Sequence, residues 1–408
     1  MTRKAHLRPA DLRGVSRLAV EATAGITDVV EAMHLNIARS PGLFGTPARG
    51  ATSGITGLVY RGIRGVTRLV GGGLDAVLGL ASLAPAAGDE SSSRGRDAWL
   101  AALNGVLGDH LAASRNPLAI PMGLRRGGQS LELGRSLAAA IPEPGGKVLV
   151  LAHGLCMNDL QWTRKGHDHG AALARDLSYT PLYLHYNTGL HVSTNGRALA
   201  DLLESVVTHW PVPLEELSIL GHSMGGLVAR SAFHYGRLAG HAWPRHLKKL
   251  VFLGTPHHGS PLERGGNWVD FLLGVSPYSA PLTGLGKIRS AGITDLRHGN
   301  LLDEDWAGRD RFERSCDVRQ PVPLPEGVEC YAMAAIRESK GQASKTLGES
   351  WPSDGFVPFA SALGHHVDPD LALPIAESRQ WSLHGIHHFD LLSDPEAYEK
   401  IKEWLSQG

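Results

Sequence analysis

Between residues 147 and 253 the chain alternates short apolar runs with longer helical stretches, and few architectures accept that rhythm. The runs cover 148–151, 182–186, 217–220 and 249–253, and the stretches between them, 158–177, 195–209 and 225–239, read as helices. Apolar runs this short, separated by helices, are the buried strands of a parallel sheet. The fold class is therefore α/β: a mostly parallel sheet with helices on both faces. Two further extended runs, near 121–125 and 130–133, flank Gly127-Gly128 as in a hairpin. Strands are also expected at 329–335 and 380–383, with a closing helix over 396–405.

The sequence before residue 116 is of another kind. Apolar residues at three-four spacing predict an amphipathic helix over 12–38. A second apolar run, 55–78, carries Arg61, Arg64 and Arg68 on its other face and is weakened at Gly71-Gly72-Gly73. A third helix is expected over 97–113, with Trp99, Leu103, Val106 and Leu107 inward. A chain of 408 residues can bury a full core and still carry such an appendage. The expected organisation is a helical segment over 1–115 and an α/β domain over 116–408. Residues 1–68 hold ten Lys or Arg against four Asp or Glu. That excess suits an anionic membrane surface, although a solvated helix face gives the same pattern.

Formal net charge is zero and no long basic run occurs, so nucleic acid is not an expected partner. The basic start lacks an apolar stretch behind it, and the best apolar window, 65–87, is broken by Arg68 and Asp75. Neither a secretory signal nor a spanning helix is expected. Cys156, Cys316 and Cys330 are odd in number and lack metal spacing, which fits a reducing compartment with free thiols. The expected location is cytoplasmic, with a peripheral inner-membrane contact as the reading the basic segment adds.

Gly221-His222-Ser223-Met224-Gly225 follows the apolar run 217–220 and opens the helix over 225–239. A strand, a sharp turn and a helix in that order lift a serine hydroxyl above the sheet edge, so Ser223 is the candidate nucleophile. The helix start also aims backbone N–H groups at developing negative charge. Acyl transfer needs two such donors. Met224 supplies one, and Leu155, after His153-Gly154 at another strand end, supplies the other.

His153-Gly154-Leu155, the serine motif with Gly226, and Gly254-Thr255-Pro256-His257-His258-Gly259-Ser260 together resemble the bacterial lipase and esterase branch of the α/β-hydrolases. In style they are similar to the GPI inositol-deacylase-like lipases. The resemblance covers about 120–408 and implies an ester-cleaving enzyme with no metal or organic cofactor. Chain order in this fold is serine, acid, histidine. Ser353-Asp354-Gly355-Phe356-Val357-Pro358 resembles the family's Asp-Gly-x-Val-Pro, which makes Asp354 the acid, with Asp368 and Asp370 in reserve. His388, followed by Phe389-Asp390-Leu391-Leu392, resembles the family's leading histidine and is the expected base, with His387 and His384 as competitors.

An insertion over about 259–328 carries Trp268, Val269, Phe271 and Leu272, where this fold places a cap or lid. An apolar cap favours a hydrophobic or acyl-chain ester. His153, His222, His257, Trp268 and Phe271 are expected to line the substrate site. The cluster His167-Asp168-His169 reads as a surface turn rather than a metal site. An acyltransferase or lipid deacylase would use the same residues, and a non-catalytic membrane or lipid-body scaffold is the remaining alternative.

Overall fold

A computed structural model describes residues 8–23, 61, 65, 94–133, 137–141, 143–261, 289–310, 316–337 and 353–407. The second amphipathic run, the first one beyond residue 23, and Trp268 and Phe271 lie outside the described residues. Contacts divide the chain into two units: Met1–Glu90 with Leu111–Ala119, and Ser91–His110 with Ile120–Gly408. These divisions fall at other points than residue 115.

In the first unit, residues 9–23 are helical and are called α1. Gly14 on this helix accepts a hydrogen bond from Asn116 Nδ2 at 3.0 Å. A Cβ at Gly14 would come within 2.4 Å of Leu118, so the helix crosses that turn closely. No helix among the described residues is long and apolar enough to cross a membrane.

In the second unit, one eight-stranded sheet forms the core, in the order β2-β1-β4-β3-β5-β6-β7-β8. The hairpin strands β1 (Gly123–Arg126) and β2 (Gln129–Leu131) run antiparallel at one edge. The remaining six are parallel: β3 (Lys147–Ala152), β4 (Thr180–His185), β5 (Glu216–His222), β6 (Leu247–Leu253), β7 (Glu329–Ile336) and β8 (Gln380–His384). Strands β3 and β5 are buried almost throughout, as continuous apolar runs in a doubly covered sheet must be.

Among the described residues, five helices longer than eight residues accompany these strands: α2 (Arg94–Ala113), α3 (His169–Leu177), α4 (Val192–His209), α5 (Met224–Leu238) and α6 (Pro395–Ser406). On α2, Leu103 and Val106 are buried as expected, while Trp99 and Leu107 are only half-buried. Small residues let this helix approach the sheet loops: a Cβ at Gly105 would fall 2.2 Å from Cys156 Sγ, and one at Gly108 1.8 Å from Asn187. The helix expected over 158–177 is two pieces, a 3-10 turn at Asp159–Trp162 and α3. Lys165 and Gly166 between them take positive φ (49° and 81°), which no α-helix continues through. Asp168 then caps α3 by accepting from the Ala171 N–H at 2.9 Å.

Within the expected insertion, the described parts hold a short helix, Ala291–Asp295, and a 3-10 turn, Asp303–Asp305. All three cysteines are free thiols.

Candidate active site

Parallel strands deliver their C-terminal loops to one edge of the sheet, where ligands of open α/β folds bind. Four such loops carry the candidate residues. Leu155 follows β3, Ser223 follows β5, Asp354 lies beyond β7, and His388 lies beyond β8.

Ser223 sits between β5 and α5 with φ 54° and ψ −125°, a strained conformation for a residue with a Cβ. Its backbone N–H donates to Leu253 O at 2.8 Å, tying the turn to the end of β6. The flanking glycines are required by contact. A Cβ at Gly225 would lie 2.1 Å from Ala152 O, and one at Gly221 2.6 Å from Gly226 Cα. Leu155 and Met224 are fully buried side chains. Among the described residues, neither backbone N–H donates to a protein acceptor, whereas neighbouring Cys156 and Met157 donate to Thr188 Oγ1 and Gly154 O. The Met224 donor belongs to the first turn of α5, where no intrahelical acceptor exists.

Asp354 and His388 are both fully buried and are joined side chain to side chain, His388 Nδ1–H donating to Asp354 Oδ2 at 2.6 Å. The other carboxylate oxygen accepts the N–H groups of Phe356 and Val357 at 2.9 and 2.8 Å, so the Asp-Gly turn fixes the acid's direction. With the proton on Nδ1, His388 Nε2 presents a lone pair, and that atom is buried without a hydrogen-bond partner. His388 reaches this position across Gly254, where a Cβ would lie 3.0 Å from its ring. Gly254 directly follows Leu253, the residue that holds the Ser223 backbone.

The three histidines expected to line the substrate are all fully buried. Burial pushes the pKa of His153 down to about 3, and its ring stacks on Tyr186 with centroids 4.5 Å apart. His222 Nε2–H donates to the His388 backbone carbonyl at 3.4 Å, and the two rings lie 4.7 Å apart. Burial holds His222 well below its ordinary pKa, so the ring is a neutral brace between the Ser223 turn and His388. His257 contacts Arg230 and packs perpendicular to the Phe252 ring, with centroids 4.5 Å apart. The bracing role of His222 is not visible in the sequence, where it is one filler position of the serine motif.

A second brace comes from the expected surface turn. His169 is fully buried, and its Nε2–H donates to Leu391 O at 2.8 Å, three residues past His388. Lys165 pairs with Asp390 Oδ1 at 2.7 Å, and the other Asp390 oxygen accepts the His387 N–H at 3.0 Å. The reading of His167-Asp168-His169 as a plain surface turn therefore suits the half-buried His167 and Asp168 but not His169. No group of His, Cys, Asp and Glu among the described residues is placed to hold a metal ion.

A family model described as a PGAP1-like alpha/beta domain matches residues 143–317. No curated protein matches the sequence. Among solved structures, the mature lipase BlEst2 of Bacillus licheniformis is 17% identical, with 70% of this chain and 98% of that chain covered and a TM-score of 0.42. Aspergillus fumigatus lipase B is 12% identical, covering 69% of this chain and 60% of its own at a TM-score of 0.41. Pyrococcus furiosus esterase Pf2001 is 10% identical, with coverages of 64% and 83% and a TM-score of 0.36. Likenesses this distant carry no argument about chemistry. The sheet and the family match agree on an α/β-hydrolase-like fold, and residues 143–317 are similar to a PGAP1-like alpha/beta domain.

Proposed function

We propose that this chain is a serine hydrolase that cleaves hydrophobic carboxylic esters, with Ser223 as nucleophile, His388 as base and Asp354 as the acid that orients it. The supporting observation is the buried His388–Asp354 pair with its unpartnered Nε2 at the sheet edge that carries the strained Ser223. Ser223 Oγ attacks the ester carbonyl as His388 Nε2 accepts its proton. Asp354 keeps Nδ1 protonated and stabilises the imidazolium that forms. The oxyanion of the tetrahedral intermediate accepts from the N–H groups of Leu155 and Met224. His388 then gives its proton to the leaving alkoxide, and an acyl-Ser223 ester remains. Water, deprotonated by the same nitrogen, releases the carboxylic acid and restores the serine.

The apolar composition of the insertion, including Trp268 and Phe271, supports a hydrophobic acyl group. The basic N-terminal segment supports a substrate carried on an anionic lipid surface.

Purified protein should be labelled by a fluorophosphonate at Ser223 and should turn over p-nitrophenyl esters, with a preference for longer acyl chains. Ser223→Ala should lower turnover by about a millionfold. Substantial residual turnover in that variant would remove Ser223 from the mechanism, and preference for acetate would remove the acyl-chain reading.

A further inference from the structure

Arg230 lies on α5, about two turns beyond Ser223, and is only 5% exposed. Its Nη2 donates to Val322 O, and its Nη1 donates to His257 Nδ1 at 3.3 Å. Its Nε–H has no partner, and among the described residues no carboxylate pairs with this guanidinium. A buried charge without a counter-ion is costly, and burial with the nearby Arg319 lowers its pKa to about 9. It still carries its charge at neutral pH.

His257 adds a second unsatisfied donor. Because Arg230 donates to Nδ1, that nitrogen is unprotonated. Burial, together with the two guanidinium groups and His258, keeps the ring neutral, so its proton is on Nε2, which is buried without an acceptor. Arg319 closes the other side. It donates to the His257 and His298 carbonyls and to His258 Nδ1, and its Nε pairs with Asp317 at 3.2 Å.

Arg230, His257, His258 and Arg319 line one cavity of about 10 Å³, room for a single water-sized particle. The carboxylate on that lining, Asp305, is already engaged by the N–H groups of Leu301, Leu302 and Gln320. Arg319 has Asp317 as its counter-ion and Asp305 is held by backbone N–H groups, so among the described residues Arg230 is the guanidinium left without a carboxylate.

We propose that this cavity binds one monovalent anion of halide size, chloride in particular, which accepts from Arg230 Nε–H and His257 Nε2–H. The cavity is too small for phosphate or for a substrate carboxylate. The bound ion neutralises Arg230 and secures the Thr255–His258 turn after β6. Thr255 on that turn abuts the nucleophile helix: a Cβ at Gly226 would lie 2.1 Å from its Oγ1. The site is independent of the assignment of Ser223.

Crystals of the full chain transferred to sodium bromide test this directly. An anomalous peak within hydrogen-bonding reach of Arg230 Nε and His257 Nε2 is expected. The melting temperature should also rise with sodium chloride relative to sodium gluconate at equal ionic strength, as for any ligand of the folded state. Arg230→Met should lose that chloride-dependent rise. Should the variant fail to fold, the wild-type diffraction and melting measurements still decide. A water without anomalous signal in the cavity, or equal melting in chloride and gluconate, overturns the proposal.

Discussion

His384 and His387 are exposed, whereas His388 is fully buried with Nδ1 against Asp354. A general base needs a fixed tautomer and a lone pair aimed at the hydroxyl, and burial beside a carboxylate supplies the first. His388→Ala should therefore approach Ser223→Ala in its loss of ester turnover, while His384→Ala and His387→Ala keep most of it. Asp354→Asn should cost on the order of 10⁴ in kcat, because an amide lets the wrong tautomer form. Steady-state kinetics on one p-nitrophenyl ester would compare all five, and an inactive His384 variant beside an active His388 variant would reverse the assignment. The candidates Ser223, Asp354 and His388 stand out in the sequence because each lies in a short local motif whose neighbours shape its own turn. His222 and Gly254 are not. Their reasons lie in contacts with His388, 166 positions beyond His222 in the case of the carbonyl that it braces, and no local pattern encodes such a distance.

At the scale of elements, the strands are the most legible feature, since burial on both faces forces an uninterrupted apolar run. The interruption of 158–177 is not legible from periodicity, because the break depends on Lys165 and Gly166 turning to positive φ. That break gives the segment its use. It leaves His169 at the start of α3, where its ring clamps Leu391 and so holds the stretch His388–Leu392 in place. His169→Ala should leave the buried Leu391 carbonyl unsatisfied and cost about 1–3 kcal/mol of stability. As a positioning residue it should lower kcat more than it changes KM. Burial lowers the His169 pKa from 6.5 to about 4, so below pH 6.5 the unfolded chain takes up a proton that the folded chain refuses. Stability attributable to His169 is thus full above pH 6.5 and is lost as pH falls toward 4, at about 1.4 kcal/mol per pH unit. Urea denaturation across that range should show a slope shallower by one proton in His169→Ala, and an unchanged slope would mean that the ring is charged in the fold.

The whole molecule raises the question of where the unit that holds the sheet begins. Composition changes near residue 116, yet Ser91–His110 group with Ile120–Gly408. The cause is α2, which lacks a strongly polar face and buries Ala101, Ala102, Leu103 and Val106. Asn104 on this helix accepts the Ile120 N–H at 2.9 Å, and Ser290 donates to Gly105 O at 2.6 Å. Burying one Leu and one Val is worth about 3–6 kcal/mol, a large part of the 5–15 kcal/mol that holds a typical domain. A chain that starts at residue 116 should therefore fail to fold. One that starts at residue 91 should fold and retain turnover on a soluble ester. It should lose activity on an ester embedded in anionic vesicles, since it lacks the six-charge excess of residues 1–68. Each basic residue at such a surface contributes about 1 kcal/mol, so even two or three engaged side chains would mean a loss of tenfold or more. High salt should narrow the gap between the full chain and the truncated one by screening the attraction. Equal vesicle activity in the two proteins at low salt would show that the basic segment serves something other than the lipid surface.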